Sequence, residues 1–259
     1  MRPRPTAEVE EVLRLVAAGW TQRDISTRTG VPVATIRNWV RGRVPRIARE
    51  ELDGVRFCPL CGAPEHDPTE LPTNDYAYLL GIYLGDGQLV HQRGRSYSLR
   101  VALDVAYPGI IEEVMTAITS VRGRRPWSTR DRRTACVRIV SYWKQWPCLF
   151  PQHGAGRKHR RAIRLAPWQQ SFVSSTPEPF LRALIQTDGW RGMNREHVKG
   201  RDYAYPRYQF SNRSTDIRRL FTDACDLIGV EWRPWGRWHV SVARRDSVAR
   251  LDEFIGPKQ

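Results

Sequence analysis

Two acidic residues stand at matching places in the chain. Asp86 nears the end of the apolar stretch LLGIYLGDG (residues 79–87), and Asp188 does the same in LRALIQTDG (residues 181–189), 102 residues later. Gly81 and Gly85 lie four residues apart in the first stretch, and Ala183 and Thr187 repeat that spacing with small side chains in the second. Residues four apart share one face of a helix, so each stretch, as a helix, carries a small-residue face. Two such faces can pack backbone to backbone. This predicts parallel helices about a pseudo-twofold axis, with both carboxylates at the same end. Each Asp precedes a glycine, Gly87 or Gly189, which permits a sharp exit from the helix. Carboxylates brought together repel unless a cation lies between them. A divalent ion such as Mg²⁺ is a natural partner for them, and a metal held by paired carboxylates suits in-line attack of water on a phosphodiester.

The elements needed to position the two acids also come twice. The first half reads YAYLLGIYLGDG, SYSLRVALDV, GIIEEVMTAITSV and TACVRIVSYW. The second reads PFLRALIQTDG, RYQFSN, DIRRLFTDACDLIGV and WHVSVAR. Each half therefore has an apolar helix, strand-like segments, an amphipathic helix and a further strand, an order that predicts α+β layers with helices on one face of each sheet. A repeat this long implies a duplicated domain instead of a solenoid.

The two nine-residue motifs, their spacing and the repeated order of elements resemble the LAGLIDADG homing endonucleases of the single-chain, two-motif type. The resemblance covers roughly residues 75–259, with repeat 1 at 75–175 and repeat 2 at 176–259. It implies a pseudo-twofold duplicated αββαββα domain acting as a monomer on double-stranded DNA. It also implies a Mg²⁺ site (or a site for another divalent cation) formed by Asp86, Asp188, Gly85 and Thr187, with Lys158 and Lys258 joining the two acids in catalysis. Asp104 and Asn212 stand where members of the family carry a polar residue at the end of an early strand. The loops 91–97 (HQRGRSY) and 190–203 (WRGMNREHVKGRDY) are expected to be long hairpin tips that track the DNA groove, contacting it through Arg93, Arg95, Arg191, Arg195 and Lys199.

Residues 1–45 predict a small all-α domain. TAEVEEVLRLVAA (residues 6–18) is an amphipathic helix capped by Thr6, with Val9, Val12, Leu13 and Val16 as its apolar stripe. Thr21 caps a second helix, QRDISTRT, Gly30 turns the chain, and VATIRNWVRG forms a third. Ile25 and Ala34 are expected where the second and third helices touch, over a core of Val31, Ile36 and Trp39. The spacing resembles the helix-turn-helix of bacterial regulators and recombinases, which implies a third helix in the major groove. Thr35, Arg37, Asn38, Arg41 and Arg43 are then its DNA-contacting residues. A three-helix protein-interaction module is the alternative.

Residues 46–74 read as a polar, Pro-rich connector containing Cys58-x-x-Cys61. With His66 as a third ligand these residues are candidates for Zn²⁺; otherwise they are reduced thiols in a turn. Cys136, Cys148 and Cys225 bring the total to five, which does not suggest a disulfide framework.

Lys and Arg number 42 against 27 Asp and Glu, a net charge of +15 that suits a polyanionic partner. No apolar run is long enough to span a membrane, and the N-terminus lacks a signal-peptide core, so a cytoplasmic, nucleoid-associated location is expected. Three functions remain open: a metal-dependent DNA endonuclease, a DNA-binding regulator on a catalytically inactive version of the fold, and an RNA-splicing maturase.

Overall fold

In the computed structural model, which describes residues 4–54, 56–92, 96–131, 134–198 and 200–256, the chain divides into two units, Met1–His66 and Asp67–Gln259. The first holds helices α1 (Thr6–Ala17), α2 (Gln22–Thr29), α3 (Val33–Val40) and α4 (Arg46–Asp53). The Thr21 hydroxyl caps α2 by accepting from the Asp24 amide at 3.3 Å, and Gly30, at φ 69°, closes it in the left-handed conformation. Val9, Val12, Leu15, Ile25, Val31, Ile36, Trp39 and Ala48 form the core.

Four expectations for this unit are corrected. Thr6 does not cap α1: Pro5 is the N-cap, and its side chain makes no capping hydrogen bond. Leu15 is fully inside the core, whereas Leu13 and Val16 only border it. Ala34 is exposed, because α3 turns Ile36 and Trp39 inward and Ala34 falls on the opposite side. Helix α4 occupies sequence read as connector; RIAREELD is mostly charged, and Ala48 alone of its described side chains enters the core.

The second unit contains the pattern αββαββα twice. Repeat 1 runs α5 (Thr73–Leu84), β1 (Gly87–His91), β2 (Tyr97–Asp104), α6 (Pro108–Arg122), β3 (Trp127–Asp131), β4 (Cys136–Trp143) and α7 (Trp146–Leu149). A linking helix, α8 (Pro167–Ser175), precedes repeat 2: α9 (Pro177–Asp188), β5 (Gly189–Val198), β6 (Arg201–Ser211), α10 (Thr215–Leu227), β7 (Arg233–Trp235), β8 (His239–Val242) and α11 (Arg245–Asp252). The strands form two antiparallel sheets of matching order, β1-β2-β4-β3 and β5-β6-β8-β7. Side chains alternate across a strand. Leu99, Val101 and Leu103 of β2, and Tyr208 and Phe210 of β6, therefore share one face of their sheets and enter the core with α6 and α10.

The segment expected as the long hairpin tip of repeat 2 is, in its described residues, a regular two-stranded ribbon. β5 and β6 pair in continuous register from Gly189↔Phe210 to Val198↔Arg201. A two-stranded ribbon with exposed faces tolerates the charged side chains of this segment.

The centre of the unit is the α5–α9 seam. A methyl group built on Gly81 would come within 2.6 Å of the Ala183 Cβ and 2.8 Å of the Phe180 carbonyl oxygen, and one built on Gly85 would overlap the Thr187 side chain. Gly81 meets Ala183 and Gly85 meets Thr187 in the same order, so the helices run parallel, as the small-residue spacing predicts.

Candidate active site

Helix α5 ends at Leu84, and the Asp86 amide still donates to the Ile82 carbonyl at 3.1 Å. Asp188 is the last residue of α9. The glycine after each acid is required by space. A Cβ on Gly87 would lie 2.6 Å from the Tyr83 Cα, and one on Gly189 would lie 2.5 Å from the Ile185 Cα. With no side chain there, each strand starts hard against the last turn of its own helix. The parallel seam and these two exits bring Asp86 and Asp188 to one cleft of about 1170 Å³. Its walls also carry Lys158 and Asn212, and Arg157, Arg161 and Arg213 make its lining strongly positive.

Lys158 belongs to a 3-10 turn, Lys158–Arg160, in the link between the repeats. Its ammonium donates to the carbonyl oxygens of Tyr83, of Leu84 at 3.1 Å and of Gly85 at 2.9 Å. It also lies 5.0 Å from the centre of the Tyr83 ring, which stacks on Phe150 at 4.3 Å. The carbonyls at a helix C-terminus attract cations, so the lysine completes α5 at its acidic end. Burial pushes its pKa down to about 8, against the opposing pull of Asp86 and Asp188 and with a further push from Arg161. One cation is thus coupled to both carboxylates.

Asp188 has a different neighbour. The Asn212 side-chain amide donates to its Oδ2 at 2.6 Å, while the Asn212 Oδ1 accepts from the Ser214 amide at 2.8 Å. These two bonds fix which end of the Asn212 side chain faces the acid. Asp104, paired with Asn212 by sequence, is displaced from the equivalent position. Gly87 pairs with Val101 and Gly189 with Phe210, so the register sets Leu103 opposite Asn212. Asp104 accepts from the Ala106 amide at 2.9 Å and lines a separate cavity of about 130 Å³ with Asp86, Gln186 and Thr187.

Of the other expected ligands, the Gly85 carbonyl accepts from Lys158 and the Thr187 hydroxyl donates back to the Ala183 carbonyl at 3.0 Å, and each oxygen keeps a lone pair. The carboxylates of Asp86 and Asp188 are the groups suited to hold a divalent cation. Lys258, Arg93, Arg95 and Lys199 lie outside the described residues.

Arg191 was placed among the DNA contacts, but its guanidinium grips Asp252 at 2.6 and 2.7 Å. Its register partner is Tyr208, on the core face of the sheet; Arg195 lies on that same side of β5 and is exposed. The opposite side carries Trp190, Asn194, Arg207, Gln209 and Trp235; Trp190 and Trp235 are exposed there, whereas Arg207 is buried, its guanidinium 4.4 Å from the centre of the Trp235 ring. Sequence reasoning missed Arg207 and Gln209. Alternation along RYQF was the available signal: once Tyr208 and Phe210 enter the core, Arg207 and Gln209 must take the other face of the sheet. In the first unit, Arg37, Asn38, Arg41 and Arg43 are exposed and Thr35 is partly so. Cys61 is buried, with Cys58 and His66 partly buried.

Residues 7–43 match a family profile described as a homeodomain-like domain. No curated protein matches the sequence. Solved structures similar to the chain include the homing endonuclease I-DmoI in mesophilic variants, at 12% identity and TM-score 0.45, covering 71% of this chain and 97% of that one. I-SmaMI bound to an uncleaved DNA target with calcium ions is 8% identical, with TM-score 0.45 and coverage of 70% and 84%. The LAGLIDADG homing endonuclease I-LtrWI bound to target DNA is 6% identical, with TM-score 0.45 and coverage of 71% and 84%.

Proposed function

We propose that the chain is a double-stranded DNA endonuclease of LAGLIDADG type, with a helix-turn-helix domain as a second reader of DNA. The observation that carries this reading is the meeting of Asp86 and Asp188 in one positively lined cleft at the end of a parallel two-helix seam. Two carboxylates at such a seam fit Mg²⁺, an oxygen-seeking ion commonly held by one or two carboxylates and several waters. The bound metal would supply a polarised water and neutralise charge on the phosphate. Asn212 orients Asp188 through its amide. Lys158, as an ammonium, lowers the negative potential between the acids and can stabilise charge developing on the phosphodiester. Arg157, Arg161 and Arg213 draw the DNA backbone toward the cleft. Because one chain supplies both repeats, a monomer suffices. Exposed Arg37, Asn38, Arg41 and Arg43 suit a helix-turn-helix laid on DNA.

One observation favours the second reading, a DNA-binding regulator that does not cut. The Lys158 ammonium sits at the C-terminus of α5 in the same cleft as both acids, so a cation of the chain itself offsets part of their repulsion without a metal. Incubation with a randomised DNA library, with and without Mg²⁺, separates the readings. Metal-dependent cleavage enriched at one sequence supports the nuclease. Retention of one sequence without cleavage supports the regulator.

A further inference from the structure

We propose that Cys58, Cys61 and His66 supply three of the four ligands of a structural Zn²⁺ that organises the end of the first unit. The Cys58 and Cys61 sulfurs and a His66 ring nitrogen all lie within 4.8 Å of one another. A tetrahedral zinc with Zn–S bonds of about 2.3 Å holds two sulfurs roughly 3.8 Å apart, so closure onto the ion needs only a small contraction.

The local backbone is built for a metal knuckle. Phe57 and Pro64 form an isolated antiparallel bridge. Inside it, the Cys58 amide donates to the Ala63 carbonyl at 2.9 Å and the Gly62 amide to the Cys58 carbonyl at 2.8 Å. Gly62 adopts φ 64°, which turns the next amide back toward the sulfur, and the Ala63 N–H reaches the Cys61 Sγ at 3.4 Å. A hydrogen bond of this kind favours the thiolate, the form that ligates metal.

His66 supplies an independent observation. Its Nδ1 lies 3.1 Å from the Pro64 carbonyl oxygen. A carbonyl can only accept, so Nδ1 is the donor in this contact, and Nε2 is the ring nitrogen left to ligate a metal. Metal-binding histidines are usually fixed in this way by a bond from the ring nitrogen that does not ligate. Between Gly54 and His66 only Cys61 and Ala63 are buried among the described residues. Two small side chains are a poor core for an ordered turn, and metal ligation can take the place of the missing apolar packing.

This inference does not depend on the nuclease reading. The test measures metal in the full-length protein, purified without chelator, and follows Co²⁺ substitution by its thiolate-to-metal absorption. The expected result is about one zinc per chain, a Co²⁺ spectrum with thiolate bands, and loss of both in Cys58→Ser/Cys61→Ser. Asp86→Asn/Asp188→Asn should keep its zinc, which separates this site from the acidic one. Should the cysteine variant fail to fold, the wild-type chain still decides: a chelator should raise alkylation of Cys58 and Cys61 at least tenfold. Folded protein without zinc and without a Co²⁺ thiolate band overturns the proposal. So does alkylation that the chelator leaves unchanged.

Discussion

The two repeats of the second unit share a topology and differ in chemistry. Each ends its seam helix with an acid and a glycine, and each forms a sheet of matching strand order. Around the acids the likeness stops. Asn212 donates to Asp188, whereas the register of repeat 1 sets buried Leu103 at the equivalent position. The sequence just after repeat 1 brings Lys158 to the end of α5 instead. The ribbons differ as well: β1 and β2 span 5 and 8 residues, β5 and β6 span 10 and 11. A duplicated fold can keep its frame, which packing at the seam enforces, while each half acquires its own polar partners.

The largest effect should come from breaking the seam. Gly85→Val forces a branched side chain into the space of Thr187 and should cost about 3 kcal/mol or more. Thr187→Val keeps the volume on the other helix and should cost about 1 kcal/mol. Chemical denaturation of the two variants checks the difference, and equal losses would show that close approach is not the constraint.

Next is Lys158→Met, expected to lower the cleavage rate about 10²- to 10³-fold. The lysine donates to three carbonyls, so its working form is the ammonium. With its pKa at about 8, the charged fraction, and the rate with it, should fall as pH rises through that value. The variant should lose this alkaline limb. A rate that rises through pH 8 in the wild type would assign Lys158 as a neutral base.

Asn212→Leu makes repeat 2 resemble repeat 1. Cutting should slow about 10- to 100-fold, and more on one DNA strand than on the other, as strand-specific end labels would report. Equal slowing on both strands would mean that the asymmetry has no catalytic consequence.

The smallest effect concerns the two faces of the long ribbon. Arg207→Ala removes a buried guanidinium packed on Trp235 and should cost about 1–3 kcal/mol of stability while weakening DNA binding several-fold. Arg191→Ala should leave affinity nearly unchanged and cost about 0.5 kcal/mol of stability, because an exposed ion pair contributes little. Titration of labelled DNA with both variants checks the contrast.

The frame and the acids were legible in the sequence because packing rules act at short range. Four-residue spacing of Gly81, Gly85, Ala183 and Thr187 specified the seam, and Asp-Gly marked both exits. Partners set by register were not legible. Asp104 looks like the counterpart of Asn212 until pairing with β1 and β5 shifts it by one residue, which in a strand reverses the face. The bidentate partner of Arg191, Asp252, was not legible either, because it lies 61 residues away in α11. Helix α4 escaped because its charged surface resembles a linker. The Thr21 cap and Gly30 turn, both local, were readable.

The central claim is that Asp86 and Asp188 form one metal-dependent cleavage centre. It is tested most directly by measuring binding and cleavage of a selected DNA site, in Mg²⁺, by the wild type, Asp86→Asn and Asp188→Asn. The account predicts that the wild type cuts and that each single variant loses cutting while binding the site at least as tightly, because removing a negative charge near phosphates lessens repulsion. A wild-type chain that binds the site and cuts it in neither Mg²⁺ nor Mn²⁺ would contradict the claim, as would variants that still cut at the wild-type rate.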